Sequence, residues 1–327
     1  MDERARWAVL GPGEISGFFA RSLRNARLGG LHAVGSRDAV RARAFADEHG
    51  ARVTGTYDEV IARDDVDAVY IGTVHTTHAD LALAALDAGK AVLCEKPAGV
   101  TAAETERVLE RARERGLPFV EAFKYRFGPF PALVRGLVAS GELGALTGAT
   151  ATLGSRVENG LARLTDPATA GGAILDMGCY PVSLAVGLAA WSGALDDLAL
   201  TDATGIVGDT GVDVHAEATV TFGGAAVRVA CSFVEALPRS VTIAGTRGSL
   251  EIPNVWGSRA ASTDGATLHR VGGTAEPLRA DVVDPMAAES DAVILALREG
   301  RTEASEMPWA ETRATARLLD AWLAALR

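Results

Sequence analysis

The chain is short of cysteine, short of aromatic residues and short of positive charge. Its 327 residues include three cysteines, Cys94, Cys179 and Cys231, far apart and with no CxxC pair. That spacing argues against a disulfide framework and reads as small buried residues in a reducing compartment. The net charge of −10 argues against nucleic acid and anionic membrane as partners, since both select basic patches. A local basic pocket for a phosphate stays open. The most apolar window, YPVSLAVGLAAW at 180–191, is too short to cross a bilayer and is diluted by Pro, Ser and Gly. MDERARWAVLG lacks the apolar core of a signal peptide. A cytoplasmic protein with no membrane partner is expected.

What is present is globular: 48% hydrophobic residues, 23% charged and 36 glycines, over a length that suits two domains. Between residues 7 and 123, short apolar runs (WAVLG, DAVYIGT, KAVLCEK, LPFVEAF) alternate with helical patterns, and Gly50, Gly89 and Gly116 stand just past three of these. Strand, helix, strand at that spacing predicts right-handed βαβ units and a parallel sheet covered on both faces. Beyond Phe123 the rhythm changes. The segments at 212–222, 225–236, 239–246 and 248–254 read as an antiparallel meander, and two helices near 285–299 and 308–326 close the chain. The expectation is therefore an α/β dinucleotide-binding (Rossmann) domain over 1–125. An α+β domain with a large, open, mostly antiparallel sheet follows over 126–327.

The turn after the first strand reads GPGEIS. Gly11 and Gly13 fill two positions of G-x-G-x-x-G, with Glu14 and Ile15 opening the helix and Ser16 at the third position, small enough for close packing. Where an NAD enzyme places an acid, at the end of the second strand, this sequence has Ser36 and Arg37, with Arg41 one turn into the next helix. Guanidinium groups there suit a 2′-phosphate and predict NADP over NAD; a solvated surface arginine is the other reading. Asp38, the nearest acid, is placed to cap that helix.

The apolar run AVLC ends in Glu95, Lys96 and Pro97 rather than in common turn-formers. Charges at the carboxyl end of a parallel strand face the ligand crevice, so Glu95 reads as an ion-pair partner that positions Lys96, although a solvated turn has the same letters. Thr73, His75 and His78 follow the fourth run, and Tyr125 and Arg126 the sixth. In GGAILDMGCYP, Asp176 and Tyr180 are four apart, on one face of an otherwise apolar helix. A core tyrosine and a capping aspartate are the alternatives. His75 and His78 lack a carboxylate or cysteine to complete a metal site, so no metal is expected.

Taken in order, the GPGEIS turn, GTVHTTH, KAVLCEKPAGV, EAFKYRFGP and GGAILDMGCY resemble the Gfo/Idh/MocA oxidoreductases over nearly the whole chain, nearest in look to the sugar and dihydrodiol dehydrogenases. The resemblance implies that Lys96 stands at the reacting oxygen, Asp176 orients substrate hydroxyls and Tyr180 is the acid–base group. It also implies that Thr73, His75, His78, Glu95, Tyr125 and Arg126 lie at the cofactor. Two departures are Ser16 for the usual Gly or Ala and Lys124 for an apolar residue, the second bearing on substrate identity.

The implied chemistry is hydride transfer between the nicotinamide and a carbinol or carbonyl carbon of a sugar, polyol or related cyclic substrate. A phenol is a poor base at neutral pH, but a nearby ammonium favours the phenolate, and Lys96 and Tyr180 could exchange these roles. Two rivals remain: a redox-neutral glycosidase on tightly held NAD, and a cofactor-binding regulator without turnover. Val212, Val214, Val220 and Phe222 alternate along one strand and suggest packing as a homodimer or homotetramer.

Overall fold

The computed structural model describes residues 4–157 and 162–326. The chain forms two compact units, and they are not the continuous halves 1–125 and 126–327. The first takes Met1–Gly128, Arg259–Ala261 and Val283–Trp309; the second takes Pro129–Ser258, Ser262–Val282 and Ala310–Arg327.

The first unit is built on β1 (Ala5–Leu10), β2 (Gly29–Gly35), β3 (Val53–Gly55), β4 (Ala68–Ile71), β5 (Ala91–Glu95) and β6 (Phe119–Ala122). They lie in the order β3-β2-β1-β4-β5-β6, every neighbouring pair parallel. Residues of β4, β5 and β6 are buried along their whole length, as expected of strands covered on both faces. The covering helices are α1 (Glu14–Ser22), α2 (Ala39–His49), α3 (Tyr57–Ile61), α4 (His78–Asp87) and α5 (Ala102–Arg115). Gly50 and Gly116 end α2 and α5 in the left-handed conformation, with φ of 85° and 65°.

The second unit contains α6 (Pro129–Ala139), α7 (Ala162–Thr165) and α8 (Cys179–Trp191) with eight strands: β7 (Leu146–Gly154), β8 (Ala199–Val207), β9 (Asp213–Phe222), β10 (Ala225–Ser232), β11 (Val241–Gly245), β12 (Gly248–Ile252), β13 (Gly265–Arg270) and β14 (Glu276–Arg279). Their order is β14-β13-β12-β11-β7-β10-β9-β8, and only the β7–β10 pair is parallel. The meander expected over 212–254 is thus split, because β7 lies between β10 and β11. Those two strands are joined by residues 233–240, a stretch with Pro238 and no tight glycine turn, so nothing obliges them to pair. Strand β8 was not anticipated. It is mostly exposed and its register breaks between Thr201 and Thr204, where Asp202 takes a φ of 52°, so its apolar alternation is lost.

Val220 and Phe222 are 0% and 2% exposed and pack, with buried Val212, into the core of their own unit. Val214, the fourth residue of that alternation, is half-buried; the burial of the other three within their own unit leaves them little surface for a second subunit. The 25-residue stretch Pro167–Trp191 is longer than the apolar window suggested; its most apolar 18 residues have mean hydropathy 1.5, and 78% of them are buried inside the protein. Its side chains make the core of this unit.

Of the two closing helices, α10 (Trp309–Ala325) falls almost wholly in the second unit, whereas α9 (Pro285–Arg298) returns to the first. There α9 packs on β5 and on the short 3₁₀ turn Lys124–Arg126. The Phe119 N–H donates to Thr302 O at 3.0 Å, and the Trp309 indole donates to Phe119 O at 2.9 Å, covering the β6 edge. Local pattern shows where a helix lies, not which sheet it covers.

Candidate active site

The phosphate end is set by glycines. Gly11 has a φ of 85°, and a Cβ there would meet the Thr73 Cγ2 at 2.7 Å, so only glycine makes this turn. Gly13 is the N-cap of α1 and, having no side chain, makes no side-chain hydrogen bond to its first turn. Ser16 is fully buried and donates to Gly11 O at 2.6 Å, so the hydroxyl ties the helix to its own turn. It fits because Gly72 faces it: a Cβ on Gly72 would run into Ser16 and lie 2.9 Å from the Tyr70 ring. These features fit a dinucleotide pyrophosphate, whose negative charge a bare helix N-terminus favours. Glu14, by contrast, is turned outward to Arg259 at 2.6 Å, and Ile15 is half-buried.

At the ribose end Asp38 is committed. Its carboxylate accepts from the N–H groups of Val40 at 2.9 Å and Arg41 at 3.1 Å, capping α2. Ser36 accepts from the Asp38 N–H at 3.1 Å and is buried. Arg37 is exposed, and the Arg41 guanidinium reaches the Pro12 carbonyl at 3.3 Å, beside the glycine turn. The acid at this strand end is thus spent on the helix, and the two arginines are the charged groups beside it.

The EKP turn rests on a buried network. Glu95 does not simply pair with its neighbour, as expected. Its carboxylate accepts the Tyr70 phenol at 2.7 Å and lies under the turn, with burial raising its pKa against the opposing pull of Lys96. Tyr70 is itself fully buried, stacked on Phe19 with centroids 3.9 Å apart. From β6, Glu121 accepts the Ala98 N–H at 2.9 Å and holds the other side of the turn. His78 was expected at the cofactor. Its ring is fully buried between two carbonyls, Nδ1 at 2.8 Å from Pro97 O and Nε2 at 3.3 Å from Thr73 O, and burial lowers its pKa. It braces the end of β4 against the end of β5. His75 meets the His78 ring edge-on at 5.7 Å, and the Thr77 hydroxyl donates to that of Thr73 at 2.7 Å. Lys96 is half-buried at the mouth of this network. Tyr125 and Arg126 are buried after β6, the guanidinium 6.0 Å from the ring centroid.

In the second unit, Asp176 and Tyr180 do not share a regular helix. Ile174–Gly178 is a π-helical turn, a feature that recurs at functional sites, and α8 begins at Cys179. The tight packing that fixes the turn falls on Gly178, whose Cβ would lie 3.0 Å from both the Cys231 sulfur and the Trp322 ring. Asp176 is half-buried with Arg163 at 3.8 Å. The Tyr180 ring meets buried Trp256 edge-on at 5.7 Å, and the Trp256 indole donates to Thr152 O at 2.8 Å, which holds the ring that the tyrosine packs against.

Sequence reasoning missed Asp213. It is buried and accepts the Ile174 N–H at 2.6 Å, so it caps the segment that carries Asp176 and Tyr180. A carboxylate inside the apolar run VDVHAEATVTF was the available signal. Asp213→Ala is expected to lower the stability of this unit by about 1–2 kcal/mol, seen as a lower denaturation midpoint. Asp213→Asn, which keeps an acceptor, should recover most of the loss.

Two family models match. One, described as the oxidoreductase family with an NAD-binding Rossmann fold, covers residues 5–123; the other, the GFO/IDH/MocA C-terminal domain, covers 132–251. The chain belongs to the Gfo/Idh/MocA family. It is an NAD(P)-dependent oxidoreductase. Among its relatives is the trans-1,2-dihydrobenzene-1,2-diol dehydrogenase of Bos taurus, 36% identical over 76% of this chain and 73% of the relative. A D-xylose 1-dehydrogenase (NADP(+)) of Haloferax volcanii is 39% identical over 67% of this chain and 66% of the relative. A solved 3-ketoreductase from Actinomadura kijaniata, in complex with NADP and TDP-benzene, superposes with a TM-score of 0.88. It is 26% identical and the match covers 99% of this chain and 98% of that one.

Proposed function

We propose that the chain is an NADP-dependent dehydrogenase or reductase that moves a hydride between the nicotinamide and a carbinol or carbonyl carbon of a sugar, polyol or related cyclic substrate. The observation that carries the reading is the placing of Lys96 at the end of β5 on the buried Glu95–Tyr70 hydrogen bond. The relatives named for a dihydrodiol and for D-xylose support the substrate class.

When bound, the cofactor supplies or takes the hydride. The chain does the rest. Gly11, Gly13 and the N-terminus of α1 hold the pyrophosphate, and Lys96 places an ammonium at the oxygen where charge develops. Tyr180 gives or takes the hydroxyl proton, and Asp176 accepts hydrogen bonds from neighbouring substrate hydroxyls. Initial rates on a panel of sugars, polyols and their keto forms, with both cofactors, test this; no turnover on any of them would overturn it.

Arg37 and Arg41 carry the cofactor preference. A charge-assisted contact to phosphate is worth about 1.5–3 kcal/mol, roughly ten- to hundredfold in affinity. NADP(H) is therefore expected to bind more tightly than NAD(H), with the gap narrowing in high salt because Arg37 is exposed. Arg37→Ala should erase most of the preference and leave NAD(H) binding nearly unchanged, as calorimetric titration of both cofactors would show. Equal or tighter NAD(H) binding by the natural protein would reduce Arg37 to a surface residue.

The same reading puts the protein in the cytoplasm as a homo-oligomer. The three free, buried cysteines support the first, and the exposed apolar side chains of Ile206 and Val207 on β8 support the second. Sedimentation analysis checks the oligomer.

A further inference from the structure

Beneath the EKP turn the first unit buries two carboxyls that act on one another. Glu95 ends β5 and accepts the Tyr70 phenol at 2.7 Å. Glu289 lies on α9, which packs on β5 and on the turn that carries Lys124. The Glu289 side chain is fully buried, and neither of its oxygens has a hydrogen-bond partner among the described residues. An ionised carboxylate left in that state is very costly, and two beside one another cannot both stay ionised.

The surrounding charge is shared unequally. Lys96 and Lys124 both act on Glu95, and the phenol donates to it. Glu289 feels Lys124 alone among the lysines, with Glu95 and Asp284 opposing, and burial raises it well above the usual carboxylate range. The Cys94 thiol, also on β5, is pushed up by burial and adds no charge. Other ionisable groups on elements packed against α9 have partners elsewhere. Glu121 holds the Ala98 N–H, and Arg126 lies over the Tyr125 ring. Glu14 pairs with Arg259, Arg21 lies over Phe18, and His32 faces Asp65. Lys124 is the lysine that acts on both carboxyls.

We propose that Glu95 and Glu289 hold one proton between them, Glu95 being the anion behind the Lys96 ammonium and Glu289 the un-ionised acid. Glu289 is then a positioning residue that acts through Glu95. It keeps the charge behind Lys96 at one, and it can take over that charge if Glu95 is lost. This rests on the reading of Lys96 as the group at the reacting oxygen, but the shared proton is visible without turnover.

Infrared difference spectra at neutral pH are expected to show the carbonyl stretch of an un-ionised carboxyl in the natural protein. The band should be lost in E289Q and lost as well in E95Q, where Glu289 becomes the anion; a full band in E95Q would mean that the two carboxyls share no proton. Folding stability gives a second readout. The folded state keeps a proton that the unfolded chain releases above about pH 4.3, so Glu289 favours folding at low pH and that contribution is lost as pH rises. The loss approaches about tenfold in the folding constant per pH unit, and E289Q should lack this slope. In kinetics, E289Q is expected to lower kcat less than about threefold and E95Q about tenfold. The double variant should fall by about a thousandfold, far beyond the product, because no anion then remains. No infrared band in the natural protein, or a double variant equal to the product of the singles, overturns the proposal. Full turnover by Lys96→Met would instead sink the reading of the lysine while leaving the infrared result intact. Should E289Q fail to fold, the band in E95Q decides alone.

Discussion

Lys96→Met is expected to lower kcat by at least about a hundredfold, the scale on which removal of one preorganised electrostatic donor is measured. Methionine keeps much of the stem's length and apolar bulk and removes only the charge. The Glu95–Tyr70 hydrogen bond at 2.7 Å and the Glu121 contact to Ala98 would still hold the turn. NADP(H) affinity should therefore change little, because Gly11, Gly13 and Arg37 are untouched. Single-turnover kinetics separate the two quantities. A folded variant with near-normal turnover would remove the EKP lysine from the chemistry.

Tyr180→Phe should cost about 10²–10⁴ in kcat, the range for a lost acid–base group. The ring stays, so its edge-on contact with Trp256 and the packing of α8 survive, and stability should hardly move. The pH profile is the sharper readout. In the reductive direction the phenol must hold its proton, so activity falls once the pH is high enough to ionise it. That basic limb should vanish in the variant. A variant with full activity and an unchanged profile would hand the proton to Lys96 or to water.

Most of the first unit was legible because each of its strands is a short apolar run closed by glycine or a cap, and such signals are local. Gly50, Gly116 and Asp38 all behave as their positions suggested. The charged end of β5 was legible for the same reason, since Glu95 and Lys96 interrupt a run that should otherwise end in a turn-former. What stayed hidden is non-local. Nothing in CEKP says that the glutamate turns under the strand to a tyrosine on β4. Nothing in HTTH says that His78 spends its ring on Pro97 and Thr73. The same limit hid α9, whose sequence shows a helix but not its partner, and Asp213, whose cap lies 39 residues away in the chain. Charges within apolar runs marked each of these places, as Glu121 in FVEA and Glu289 in MAAESDAVIL show, without naming the contact.

The return of 283–309 to the first unit bears on the order in which the molecule can be made. Small domains commonly fold as they leave the ribosome, amino-terminal one first. Here the outer edge of β6 waits for Thr302 and Trp309, and β5 waits for α9. The nucleotide-binding fold thus stays open while every strand of the other unit is synthesised. It closes only when the last helix is emerging. A chain cut short anywhere before residue 283 loses more than its tail, because it leaves the earliest part of the sequence unfinished.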